Sequence, residues 1–412
     1  MTTIDLPDNY DEITVAMVGS VDSGKSTLTG VLCSGSMRQG FSDMKEALDD
    51  GNGLARTRIL HHQHEQESGR TSSITYNYAV YDFVDSVNNG KTPRTVSFVD
   101  LAGHEMYLKT TIHGLTSSYP DVAIVCVGRH ITNMTKEHIG ILYKMEIPFV
   151  IAMTKVDIIP TNVFQENLRQ IKKIAAACKK RVYEVKNPTQ VKSSLLNNKK
   201  LLQVVRVSNK SGEGIETLVK LLMEVNRNRG VNDDVFVVEH IYKNIPGFGT
   251  VVSGLTGKKI SIGDKMLLGP FAKGKYINVK VRSLHNDYRQ FVDSVEPGMR
   301  CCCCIKYDNE YKDRIRSGMI LTTEERKSSD TFRVKMEILN HHTTISPGYE
   351  GYINCGNVRD VVKVVDIVGD KTCVRSGDKE EVIIKLRHQT YVSPGSKFLM
   401  REGATRSIGV FV

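Results

Sequence analysis

The chain has 412 residues, 40% hydrophobic and 25% charged, which excludes collagen-like and wholly disordered classes and leaves room for two or three domains. Its 56 Lys and Arg against 46 Asp and Glu give a formal charge of +10, an excess that permits a phosphate-rich partner without requiring one. No apolar run approaches the roughly 20 residues of a membrane helix, and the opening MTTIDLPDNYDEI lacks the apolar core of a secretory signal, so the default expectation is a cytosolic or nuclear protein with no membrane partner.

In chain order, ITVAMV (13–18) reads as a buried strand. It runs into Gly19-Ser20-Val21-Asp22-Ser23-Gly24-Lys25-Ser26-Thr27, and a helical pattern opens at Lys25. The spacing fits a phosphate-binding loop. Its glycines let backbone N–H groups wrap a β-phosphate, Lys25 places a cation on the β- and γ-phosphates, and the Ser26 hydroxyl can ligate Mg²⁺. The plain alternative is a glycine-rich turn. Residues 37–72 are polar with no clear period, and a loop of that length is usually functional or mobile.

The next strand, VSFVD (96–100), ends in Asp100-Leu101-Ala102-Gly103-His104-Glu105. The Asp100 carboxylate can reach Mg²⁺, directly or through water, and the Gly103 N–H can sense a γ-phosphate. Helical spacing resumes from His104. The strand VAIVCVG (122–128) and a helix around Met134–Lys144 follow. FVIAMT (149–154) then ends in Thr154-Lys155-Val156-Asp157. A carboxylate at Asp157 can accept both N–H donors on the Watson–Crick edge of guanine, selecting GTP over ATP, while Lys155 lays its stem across the base. A helix is predicted over Val163–Lys179. Residues 180–203, basic and Asn/Ser-rich, resist assignment. VVRVS (204–208) is the last strand of the series, followed by Ser208-Asn209-Lys210, whose backbone would contact the guanine oxygen, and by a helix over Ile215–Val225. Read singly, each later loop could be an ordinary strand-to-helix connection. Read together and in order, they describe one guanine-nucleotide pocket at the carboxyl ends of a doubly wound, mostly parallel α/β sheet.

Near Gly230 the pattern changes to short β-rich runs with turn signals such as PGFG, TGKK, EPG and SPG, and long helical patterns stop. About 180 residues suffice for two small β-barrels, divided best in LTTEERKSSDT (321–331). The expected organisation is a P-loop GTPase domain over 1–229 and all-β barrels over 230–325 and 326–412.

Two signals have plain readings. Cys301-Cys302-Cys303-Cys304 is formally C-x-x-C at its ends, but no second ligand pair stands at zinc-finger spacing, and adjacent residues of a strand face opposite ways; the run reads as an apolar strand. Nine cysteines, an odd number, cannot all pair internally. The stretch Arg169–Lys200 holds ten Lys or Arg and one acidic residue, Glu184. A solvated helix face plus loop and a contact with RNA both fit it.

Taken together, the motifs resemble translational GTPases of the elongation factor Tu type. VDSGKST is similar to that family's VDHGKST, and DLAGHEMYLKTTIHGL to its DCPGHxxYxxNMxxG. GFGTVVSGLTGKKISIGDKMLLGP (247–270) resembles the opening of the family's second domain, and KFLMREGATRSIGV (397–410) the closing strands of its third. GRTSS (69–73), TKVD (154–157) and TTISPGYEGYINCGNVRDV (343–361) resemble the GTP-binding protein 1 and 2 subfamily, which also occurs as shorter versions encoded by large DNA viruses.

The resemblance implies GTP/GDP with Mg²⁺, and a slow GTPase in which His104 orients the attacking water until a partner orders the site. A helix-capping histidine is the plain alternative for His104. It further implies the ribosome with aminoacyl-tRNA, or another RNA, as partner, no DNA, a monomer and a cytoplasmic location. Two other roles fit the same architecture: a GTP-dependent adaptor in RNA surveillance and mRNA decay, and a regulatory subunit of a sulfate-activating enzyme. Three departures from the family pattern carry expectations. Thr154 replaces the usual Asn, so its hydroxyl keeps one backbone bond while the amide's base contact is lost. Counting from Arg70 puts Ser73 at the Mg²⁺ position, with Thr71 as the alternative. Ser72 replaces an apolar residue that, with Val21, would hold the histidine back, so detectable uncatalysed turnover is expected. His61, His62, His64 and Glu67 look ligand-like but fall in this first switch region, which must rearrange with nucleotide, so a zinc site there is the lesser reading.

Overall fold

Val122–Val127 is apolar and buried at every position, so it needs cover on both faces, as in a parallel sheet with helices on each side. The computed structural model describes residues 10–34, 47–60, 74–81, 93–192, 196, 198–227, 234–403 and 405–412. They fall into two compact units, Asp5–Asn228 and Arg229–Val412.

The first unit holds β1 (Asp11–Gly19), β2 (Thr75–Tyr81), β3 (Arg94–Asp100), β4 (Val122–Val127), β5 (Phe149–Met153), β6 (Arg181–Val185) and β7 (Leu201–Arg206). They form one sheet in the order β2-β3-β1-β4-β5-β7-β6. Only the β2–β3 pair is antiparallel. The helices are α1 (Lys25–Ser34), α2 (Leu108–Ser117), α3 (Asn133–Lys144), α4 (Thr161–Ala177) and α5 (Ile215–Met223). α1 and α5 bury Leu28, Leu32, Leu218 and Leu222 against Val15, Met17 and Phe98 on one face. Residues of the other parity, Ala16, Val18, Ala123 and Val125, are equally buried, and α3 packs on β1 and β4.

Two elements correct the sequence reading. The stretch 180–203 is not irregular throughout: β6 lies within it, and β7 starts at Leu201 rather than at Val204. RVYEV is an outer strand whose side chains are mostly half-exposed, so it lacks the continuous apolar run that marks a central strand. The antiparallel strand β2, TYNYAVY, is largely buried but sets Thr75 and Asn77 among its tyrosines, so it too lacks a continuous apolar run.

Among its described residues the second unit is all β apart from short 3₁₀ turns. β8 (Phe236–Ile245), β9 (Gly249–Thr256), β10 (Ile260–Ser261), β11 (Lys265–Gly269), β12 (Ile277–Asn286), β13 (Phe291–Val292), β14 (Ser294–Val295), β15 (Arg300–Lys306) and β16 (Ile320–Thr322) build its first part. The order β11-β16-β8-β9-β15-β12, with β11 also paired to β12, closes a six-stranded barrel. β17 (Ser329–Asn340), β18 (Glu350–Cys355), β19 (Val358–Ile367), β20 (Lys379–Thr390), β21 (Lys397–Glu402) and β22 (Thr405–Phe411) close a second one. The cysteine run is β15. Cys301 and Cys303 point into the first barrel's core, their sulfurs 3.7 Å apart, and the Cys304 thiol donates to the Phe248 carbonyl. That barrel also buries an ion pair between Arg300 and Glu239, only 4% and 5% exposed. Arg316 joins the barrels by donating to the carbonyls of Pro270 and Gln389, and the Ser317 hydroxyl donates to Asn357 O at 3.0 Å.

Candidate nucleotide-binding site

The strand order reverses at β1, which has β3 on one side and β4 on the other. Ligands of such sheets bind beyond the carboxyl ends of the strands at that point. β1 ends at Gly19, where φ is 147° and any side chain would collide with the Cys126 carbonyl. Asp22 (φ 58°) and Gly24 (φ 82°) then turn the loop back toward α1. The loop closes on the Ser20 carbonyl, which accepts from Ser23 Oγ at 2.8 Å and Lys25 Nζ at 2.9 Å. α1 starts at Lys25, so its first N–H groups, which have no partner within the helix, open onto the same loop.

Lys25 is 7% exposed. Burial lowers its pKa, and the Asp100 carboxylate works against that shift. Asp100 is fully buried and accepts from Ser26 Oγ at 2.7 Å. Two hard oxygens held side by side suit Mg²⁺, which takes oxygen ligands, so Ser26 and Asp100 fit the metal. Gly103 stands where a side chain would strike Lys25 Nζ and Gly19 O, so its backbone meets the loop directly.

Val21, Asp22, Gly24, Ser26 and Thr27 line one cleft with Lys25 and Gly103. His104, Lys155 and Arg56 complete its wall. His104 also caps the single 3₁₀ turn Glu105–Tyr107: its Nδ1 accepts the Met106 N–H at 3.2 Å. Because Nδ1 accepts, the neutral ring carries its proton on Nε2, the nitrogen left to donate. The capping role and the place beside the phosphate loop therefore coexist in one residue.

On the base side, Thr154 is fully buried and its hydroxyl donates to Ser23 O at 2.7 Å, tying β5 to the phosphate loop. Lys155 adopts a left-handed φ of 60°. Asp157 is exposed and makes no hydrogen bond among the described residues. The loop after β7 is held by Ser208 Oγ, which accepts the N–H of Ser211 at 3.0 Å and that of Lys210 at 3.3 Å. Asn209 is nearly buried, and its Oδ1 has no hydrogen-bond partner among the described residues. A Cβ built on Gly24 would lie 3.4 Å from Thr154 Oγ1 and 3.7 Å from Asn209 Nδ2. The structure thus brings the phosphate loop and both base-side loops to one place.

Ser73, Thr71, Ser72, His61, His62, His64 and Glu67 lie outside the described residues. Among the described residues, no group of three or more His, Cys, Asp or Glu could hold a metal, and no helix is long and apolar enough to cross a membrane. The basic stretch is spread over the exposed side of α4 (Arg169, Lys172, Lys173) and the ends of β6, and its one acid, Glu184, pairs with Arg206 at 2.8 Å. Beneath the loop, His138 of α3 is fully buried with neither ring nitrogen hydrogen-bonded among the described residues, and burial, reinforced by Lys25, lowers its pKa to about 4. Sequence reasoning missed Arg56, which sits in an aperiodic polar segment whose only local signal is the turn pattern Asp49-Asp50-Gly51-Asn52-Gly53.

Comparison with known proteins adds three findings. The family model described as Elongation factor Tu GTP binding domain matches residues 11–228. GTP-binding protein 1 of Xenopus laevis is 33% identical over 97% of this chain, and GTP-binding protein 2 of Mus musculus is 30% identical over 98% of it. The chain spans 63% of the length of the first and 70% of the second. The Ski7 GTPase-like domain of S. cerevisiae, solved with GTP bound, superposes with a TM-score of 0.72 at 13% identity, covering 98% of this chain and 97% of that one.

Proposed function

The chain belongs to the translational GTPases of the elongation factor Tu type, alongside GTP-binding proteins 1 and 2, and from that premise we propose that it binds GTP with Mg²⁺ and hydrolyses it slowly until a ribosome carrying aminoacyl-tRNA orders the site. One observation carries the reading: Gly24, Thr154 and Asn209 meet at the carboxyl ends of β1, β5 and β7, beside the Ser26–Asp100 pair. A phosphate loop alone would serve any nucleotide. The exposed Asp157 carboxylate, on the loop that Thr154 ties to the phosphate loop, selects guanine.

Each residue has a task in this reading. Lys25, already desolvated, lays its charge on the β- and γ-phosphates. Ser26 and Asp100 hold Mg²⁺, with Ser73 or Thr71 as a further ligand, and the ion neutralises phosphate charge when bound. The Gly103 N–H marks the γ-phosphate. His104 positions the attacking water through Nε2, while Nδ1 is held by the Met106 amide. Positioning of this kind leaves the isolated protein slow and makes ordering by a partner decisive. The regions 1–229, 230–325 and 326–412 act as GTPase domain and two barrels in a cytoplasmic monomer.

The test is GTP hydrolysis by the full chain with and without ribosomes and aminoacyl-tRNA, for the wild type and for His104→Ala. Stimulation in the wild type that is lost in the variant is expected. Absence of stimulation, together with stable association with exonuclease machinery, would replace translation by RNA surveillance. An unchanged stimulated rate in the variant would remove His104 from the mechanism.

A further inference from the structure

We propose that Arg56 is a second cationic ligand of the nucleotide's phosphates, acting alongside Lys25. The proposal rests on the reading of the cleft as a GTP site. Its basis is the way residues 49–58 are built. The Asp49 carboxylate accepts the backbone N–H groups of Gly51 at 2.9 Å, Gly53 at 3.3 Å and Ala55 at 2.9 Å. Asp50 does the same for Asn52 at 2.7 Å and Leu54 at 3.2 Å. Gly51 (φ 92°) and Gly53 (φ 96°) supply left-handed turns that other residues adopt with strain.

This tightly wound turn is fastened at both ends to fixed parts of the domain. The Asp49 N–H donates to Asn209 O at 2.9 Å, in the loop beside the base. The Ala55 carbonyl presses so closely on α1 that any side chain at Gly30 would collide with it, and Ala55 is fully buried. The residue after Ala55 therefore stands where the fold puts it. That residue is Arg56, in the single helical turn Leu54–Thr57. Its guanidinium folds back over Gly53, so that a Cβ there would lie 2.6 Å from Nε, and it lines the cleft with Lys25, Ser26 and His104.

Among the described residues this guanidinium makes no ion pair and no hydrogen bond, although it is only half-exposed. Arg58, two residues on, is by contrast spent on the fold, donating to Ala47 O at 3.1 Å. A planar, permanently charged fork with five donors, held at the edge of a phosphate site and left uncommitted, has the chemistry of a bidentate phosphate ligand. A cation here binds GDP as well as GTP, because the contact is to the phosphate chain.

The experiment compares the wild type with Arg56→Ala, Arg56→Lys and Lys25→Ala. GDP dissociation constants are measured by calorimetry between about 50 and 200 mM salt, and the melting temperature of each nucleotide-free protein is recorded. Arg56→Ala should weaken GDP binding about tenfold or more and flatten its salt dependence. Arg56→Lys should fall between the two, and the nucleotide-free melting temperature should not move. Wild-type protein that binds no GDP would sink the GTP-site reading itself. If the wild type binds GDP, Lys25→Ala loses it and Arg56→Ala retains full affinity, only the Arg56 proposal falls. A parallel loss of melting temperature and affinity in Arg56→Ala would make the residue structural and overturn the proposal.

Discussion

Replacing Thr154 by Asn should tighten GDP binding, and the structure sets the size of the gain. In the wild type the Thr154 hydroxyl spends its single proton on Ser23 O at 2.7 Å. Nearby, Asn209 Oδ1 is buried with no hydrogen-bond partner among the described residues, and both side chains border the space over Gly24. An amide at position 154 has two N–H donors. One keeps the Ser23 bond, the other reaches toward Asn209 Oδ1, and the amide oxygen faces the base. A net hydrogen bond contributes about 1 kcal/mol, and relieving a buried unpaired acceptor about 1–3 kcal/mol. Relief of Asn209 is felt with and without nucleotide, so only the new bond to the base counts for affinity; every ~1.4 kcal/mol is tenfold, and a gain of about fivefold is expected. Thr154→Val supplies the opposite arm: it removes the donor to Ser23 O at almost constant volume and should weaken GDP about tenfold. The assay is displacement of a fluorescent GDP analogue, with dissociation followed by stopped flow. Affinity of the Asn variant equal to or below wild type would refute the idea that the threonine costs this protein affinity.

Three further outcomes follow from single features. His138 resists protonation until about pH 4, whereas an unfolded histidine takes up its proton near 6.5. The unfolded state thus binds more protons in that window, and stability falls as pH falls from 6.5 toward 4, by about 3 kcal/mol in all. Urea unfolding of His138→Phe should show a flatter pH profile there; identical profiles would discount the buried ring. In the first barrel, Arg300→Met strands the buried Glu239 carboxylate and should cost about 3–5 kcal/mol, while adding Glu239→Met should recover most of it, as read from denaturation midpoints. Asp157→Asn exchanges an acceptor for a donor at the edge of the base, so GTP should lose at least about tenfold in affinity and xanthosine triphosphate should gain. Unchanged discrimination between the two bases would move guanine recognition elsewhere.

Legibility in the sequence followed burial and periodicity. β1, β3, β4 and β5 are apolar runs buried on both faces, and the loops that follow them carry their chemistry in consecutive residues, so strand and motif announce each other. The base-side loop after β7 was visible for the same reason. β2 and β6 were not, because each mixes polar and apolar residues over only five to seven positions: β6 is mostly half-exposed, and β2 buries the polar Thr75 and Asn77. Arg56 was invisible for a different cause. Its placement depends on backbone N–H groups gathered by Asp49 and on a collision-tight contact with Gly30, and neither leaves a periodic trace in composition. The placement of His104 was likewise unreadable, since the sequence offered cap and catalyst as alternatives, whereas the ring caps the turn through one nitrogen and still lines the cleft.

The sheet stops at β6, which pairs with β7 and is the last strand in the order. Such an outer strand presents backbone donors and acceptors to which a second copy can add, the usual start of edge-to-edge association. Here that edge is bracketed by Lys179, Lys180, Arg181 and Lys186, with Glu184 already held by Arg206. Two such edges approaching each other would bring like charges together, and their repulsion works against pairing of the strands. Whatever else the basic stretch contacts, its charge opposes pairing of two such edges. Neutralising these four positions should therefore be felt first as aggregation on storage, before any loss of nucleotide binding.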